Sequence, residues 1–315
     1  MKIEERPELI ELPDEMAATD ASEAKPKGRP KGRKGAKDRP VRTTRRRVAF
    51  ILLGTAALIG AFLVFEFGLS GLSEARSQTI LLQQFQALSD QGVASTLDWR
   101  PATGEPVGIL SIPRLGLQSV VVQGTSSSET AKGPGHFAGS ALPGRPGNSV
   151  IAGRRTSYGA PFSGLDQLVS GDVVQVITGV GTFTYAVSGT SYVHPNDQDV
   201  LGPTTDNRLT LITSDPKYRA TGRLVVTASL VGLPAPAHLE PTVVIPQDQV
   251  GLTGEPWAFA PLLLWLELLA GTIIGVLYFR RRISARVAWL FGAPLAIALM
   301  WAIFSAMSRL LPATL

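Results

Sequence analysis

The sequence predicts a mainly β domain held on the outer side of a membrane by three transmembrane α-helices. Three observations predict it. Three stretches are too apolar for a soluble core, the segment between the first and second shifts to strand periodicity, and basic residues cluster at the helix ends on one side.

Residues 1–47 form an arm that is acidic and then basic. Its first 24 residues hold eight Asp or Glu, and Lys25 to Arg47 holds twelve basic residues and one acid. The arm carries 14 basic and nine acidic groups, which accounts for the whole net charge of +5. Neither half buries a core, so disorder is expected, with the basic half drawn to anionic inner-leaflet lipid or setting topology. No aromatic residue interleaves the charges, which argues against nucleic acid.

Val48 to Phe65 is uncharged over 18 residues, long enough as a helix for roughly 27 Å. A membrane helix over 48–68 follows, read as an uncleaved anchor. Residues 69–93 predict a juxtamembrane stalk helix with Leu81, Phe85 and Leu88 on one face. From Val107 the period becomes that of strands. Seven short runs between 107 and 232, punctuated by Gly, Pro, Asn and Asp, predict a barrel or sandwich over 94–232. A Pro-rich linker (233–256) leads to helices over 257–279 and 287–308, joined by the Arg-rich loop 280–286 and followed by the tail 309–315. The two basic clusters place the N-terminus and the loop in the cytoplasm, and the β domain and C-terminal tail outside, in a multi-pass protein of the cell membrane.

The chain has no cysteine, so the outer domain stands without disulfides and offers no thiolate. His136, His194 and His238 fall in no metal-ligand spacing. No metal and no cofactor are expected.

Two segments carry more than local patterning. One is "GPGHFAGSALPGRPGNSVIAGRRTSYGAPFSGLDQLVSGDVVQV" (133–176), and the other is "RLTLITSDPKYRATGRLVV" (208–226). Together they resemble the sortases, membrane-anchored cysteine transpeptidases of Gram-positive envelopes, over about 107 to 232. The resemblance implies a closed sortase-like β-barrel. It also implies a site in which a cysteine attacks the threonine carbonyl of a sorting peptide such as LPxTG, assisted by a histidine and an arginine. On this sequence the cysteine position is Ser214, the histidine position is Arg154 and the arginine position is Arg223.

Those changes shape the functional expectation. A thiol of pKa near 8.5 ionises beside a cation, whereas a serine hydroxyl needs a neighbouring base, and arginine accepts no proton in a protein. Arg154, Ser214 and Arg223 therefore read as a degenerate triad. The expectation is a pseudo-sortase that is not an enzyme and that serves as a binding or scaffold subunit of an envelope complex. The alternatives are acyl transfer or hydrolysis through Ser214, and a regulator that competes for sorting peptides.

Arg154, Arg155, Ser214 and Arg223 are the candidate ligand-binding set, suited by paired guanidinium hydrogen bonds to a peptide carboxylate, a phosphate or an anionic envelope polymer. Glu267 lies mid-way along the second span, where a carboxylate calls for a polar neighbour. It is the candidate contact to a membrane or envelope protein partner.

Overall fold

The computed structural model describes residues 41–96, 98–236, 249, 252–282 and 284–315. Most of the predicted arm, His238 and the middle of the Pro-rich linker lie outside the described residues. The chain divides into two units, Met1–Ile51 and Leu52–Leu315.

Helix α1 (Val41–Val64) passes through a π-helical turn, Phe65–Leu69, into α2 (Ser70–Asp90). Rather than standing off as a spacer, α2 lies on the β domain. Leu81 packs against Val120 and Val122, and the Gln78 side chain completes the Val120 backbone, accepting its N–H at 2.7 Å and donating to its carbonyl at 3.0 Å. The apolar stripe read from the sequence is thus the docking face.

The β domain is a closed barrel of eight strands: β1 (Pro106–Ile112), β2 (Leu117–Gln123), β3 (Gly135–His136), β4 (Asn148–Ala152), β5 (Val173–Thr178), β6 (Gly181–Val193), β7 (Arg208–Asp215) and β8 (Gly222–Val231). Their order around it is β1-β2-β3-β4-β7-β8-β6-β5. Closure leaves no free sheet edge. All seven predicted strands are present. The eighth, β3, is two residues long, too short to show a period. Inward-facing Leu110, Ile112, Ile151, Tyr185, Val187, Leu209, Leu211 and Val226 fill the interior. Tyr185 and Val187 are buried between more exposed neighbours, as the alternation along β6 requires.

A short helix α3 (Ser127–Thr130) follows β2, and α4 (Phe259–Arg282) and α5 (Ala285–Arg309) form the C-terminal hairpin. Three helical stretches, Arg45–Asp90, Pro256–Arg282 and Ala285–Arg309, are long and apolar enough to cross a membrane. Near the barrel they pack on one another: Phe65 meets Trp301 edge-on at 4.9 Å, and Phe62 meets Phe304 at 5.6 Å.

Candidate functional site

The parallel pairing of β4 with β7 and the antiparallel pairing of β7 with β8 determine where the three singled-out positions meet. Ala152 is level with Ile212, and Ser214 is level with Arg223. The chain leaving β4 at Gly153 therefore runs beside the end of β7: Gly153 N–H donates to Ile212 O at 3.0 Å, and Thr213 Oγ1 to Gly153 O at 2.8 Å. A side chain at 153 would strike the Phe162 ring at 2.5 Å, so glycine is what lets this crossing close. Arg154, Ser214 and Arg223 are brought to one end of the barrel, all buried.

Their side chains then part company. The Arg154 guanidinium is fully buried and donates to Ser157 Oγ (3.0 Å), Ser127 Oγ (2.7 Å) and Ser127 O (3.0 Å). It lies 3.7 Å from Glu66 Oε1, with the Tyr158 ring centroid at 4.6 Å. Burial pushes its pKa down, and the charges of Glu66, Tyr158 and Glu255 oppose that shift. Glu66 is itself buried and accepts from Ser308 Oγ at 3.1 Å. The sequence reading passed over Glu66, one residue beyond the uncharged run. The signal that could have found it is the demand of a buried guanidinium for a carboxylate.

Arg155 turns the other way. Its guanidinium bonds Ser214 O at 2.7 Å and Asp215 Oδ1 at 2.6 Å, and lies 3.4 Å from Asp166. Arg223 sits beside Asp197, reaching its carbonyl at 3.5 Å; burial lowers its pKa and the Asp197 charge raises it. The candidate anion set is thus spread over three environments. Arg154 faces Glu66, Arg155 bridges Asp166 and Asp215, and Arg223 neighbours Asp197.

Ser214 has a partner the sequence reading missed. Its Oγ donates to Thr314 O at 2.9 Å, and the Arg155 backbone N–H donates to the same oxygen at 3.1 Å. Two donors converge on one carbonyl oxygen and polarise it, and the Arg155 N–H is the one of the two suited to hold a developing oxyanion. Beside this contact lies a cavity of about 150 Å³ lined by Pro195, Gly222, Arg223, Leu252, Pro312 and Thr314.

The two described histidines, His136 and His194, stand apart from Ser214. His136 is buried, its Nδ1 2.9 Å from the Gln123 side-chain amide and its Nε2 2.9 Å from Ala141 O, and burial lowers its pKa to about 4. His194 is exposed and accepts from Asn196 N–H. Glu267 is exposed on α4.

Comparison with known proteins gives the barrel its relatives. Residues 110–231 match the family model described as "Sortase domain". The chain is 31% identical over 103 residues to Sortase D of Bacillus subtilis (strain 168), covering 33% of this chain and 50% of that protein. It is 29% identical over 130 residues to Sortase A of Bacillus anthracis, covering 41% and 61%. The chain therefore spans 50% to 61% of the length of these two relatives. Among solved structures, a Clostridium perfringens Sortase D5 transpeptidase aligns with a TM-score of 0.46 at 26% identity, over 50% of this chain and 99% of that one. Sortase E from Streptomyces avermitilis aligns with a TM-score of 0.39 at 34% identity, over 42% and 91%. The family match and the sortase relatives overturn the expectation that the chain is not an enzyme. Nothing in the cleft shows inactivity.

Proposed function

We propose that the chain, whose residues 110–231 match the sortase domain model, is a membrane-held acyl-transfer protein that receives an extended peptide over Ser214 and acts on the carbonyl lodged there. The observation that carries this reading is the Ser214 Oγ–H and Arg155 N–H pair on a single peptide carbonyl oxygen. Residue 214 lies against the carbonyl it would attack, and once its hydroxyl has given up its proton and bonded the carbon, the Arg155 N–H remains as the donor to the charge that attack develops. The tail that supplies the carbonyl reads Leu311-Pro312-Ala313-Thr314, the order Leu-Pro-x-Thr of the sorting peptide the resemblance implies.

Serine sets the rate. Its proton must pass to solvent water as the oxygen attacks, because residue 154 is no base, and the amine released from the broken amide bond takes its proton from water in turn, so turnover is slow beside that of a thiolate. The charge clusters support an orientation with Arg280 to Arg286 in the cytoplasm and the barrel outside. Glu267, exposed on α4, supports a membrane or envelope protein partner that offers it a polar group.

The test incubates the detergent-purified full chain, and a chain lacking 310–315, with a Leu-Pro-x-Thr-Gly peptide and triglycine, followed by mass spectrometry. Expected are a ligated product and an acyl ester on Ser214, lost in Ser214→Ala and increased in Ser214→Cys. Identical product traces for the parent chains and their Ser214→Ala variants would sink the reading.

A further inference from the structure

Residues 310–315 do not trail away from α5; they return across the barrel end and lie in the cleft. Ala313 is fully buried in a cluster with Phe137, Ile212, Val225 and Leu252, and Thr314 is 3% exposed. Ala313 N–H donates to Leu252 O at 3.0 Å. Thr314 O accepts from Ser214 Oγ and Arg155 N–H, and Leu315 O accepts from Thr156 N–H at 2.8 Å and Thr156 Oγ1 at 2.5 Å. Three consecutive residues thus make five hydrogen bonds to groups outside the segment.

The other edge is equally specific. Glu255 N–H donates to Arg309 O at 2.7 Å, and a Cβ on Gly254 would stand 2.0 Å from Leu310 O. Residues 252–255 therefore form one wall and the ends of β4 and β7 the other, with the tail between them. The Ala313 methyl is fully buried there.

We infer that residues 310–315 are an intramolecular ligand of the Ser214 groove, and that a peptide enters only by displacing them. This rests on reading the groove as a peptide site. A segment joined to α5 by a single turn competes at an effective concentration on the order of millimolar. A peptide in trans then binds more weakly in proportion to the open fraction.

The test measures fluorescence anisotropy of a labelled Leu-Leu-Pro-Ala-Thr-Leu peptide in detergent micelles, comparing the wild-type chain, a chain lacking 310–315 and Ala313→Trp. The deletion removes the tail and the substitution crowds it, and neither alters the groove walls. Binding about tenfold or more tighter in both variants is expected. Equal affinity in all three overturns the inference while the peptide-site reading stands; binding by none overturns both. A second readout is independent of those variants. The chain has no cysteine, so Thr314→Cys supplies a single thiol in a buried place. Slow maleimide labelling that accelerates about tenfold with millimolar peptide is expected. Fast labelling without peptide, or a rate that saturating peptide leaves unchanged, overturns the inference.

Discussion

The interior of the barrel and its cleft end are both closed to water, yet they are built from different materials. The interior is aliphatic, with Leu110, Ile112, Ile151, Leu209 and Leu211 contributed by neighbouring strands. The cleft end buries Glu66, Ser127, Arg154, Ser157, Ser214 and Thr314. Apolar packing is non-directional and tolerates exchange for a residue of similar volume. A buried charge network is directional, and taking one member away leaves its partner desolvated and unmatched. The barrel's stability and the site's geometry therefore rest on separate sets of residues, one strand-local and one assembled from distant parts of the chain.

The sharpest way to break the comparison is to remove the Glu66 charge. Glu66→Gln strands the Arg154 guanidinium and is expected to cost about 3–5 kcal/mol. The double variant Glu66→Leu, Arg154→Met should recover most of that loss, measured as thermal and proteolytic stability in detergent. Within the interior, Leu211→Ala is expected to cost about 3 kcal/mol through lost burial and a cavity, whereas Leu211→Met stays within about 1.5 kcal/mol.

His136 sharpens the contrast by pH. Its folded pKa of about 4 lies below the ordinary value of 6.5 because burial disfavours the charged ring. The folded state then binds fewer protons than the unfolded chain, so its contribution is complete above pH 6.5 and declines as pH falls toward 4. About 3 kcal/mol is at stake over that window. Unfolding midpoints should drop from pH 7 to pH 4, and part of the drop should vanish in His136→Gln. The smallest expected effect on stability belongs to Ser214→Ala, about 1 kcal/mol for one neutral hydrogen bond to Thr314.

The same contrast explains what the sequence displayed. Alternation along β6 and the apolar runs of β4 and β7 report short-range order, so those strands were legible. The helices long and apolar enough to cross a membrane showed through length, and the α2 face through Leu81 and Phe85. Two residues of β3 carry no period. Glu66 and Ser308 lie 242 residues apart, and Ser214 and Thr314 lie 100 apart, separations at which local patterning says nothing. The convergence of 154, 214 and 223 followed from the resemblance, but the direction of each arginine did not. Arg154 turns to Glu66 and Arg155 to Asp215 because those carboxylates belong to other elements.

Residues 310–315 occupy the groove over Ser214. Hydrogen–deuterium exchange tests that occupancy most directly at the backbone amides of Arg155 and Thr156, whose acceptors are Thr314 O and Leu315 O. In the full chain both amides should exchange slowly, and deleting 310–315 should speed them at least tenfold while the β4 amides stay protected. Equal exchange in the two chains would contradict the account.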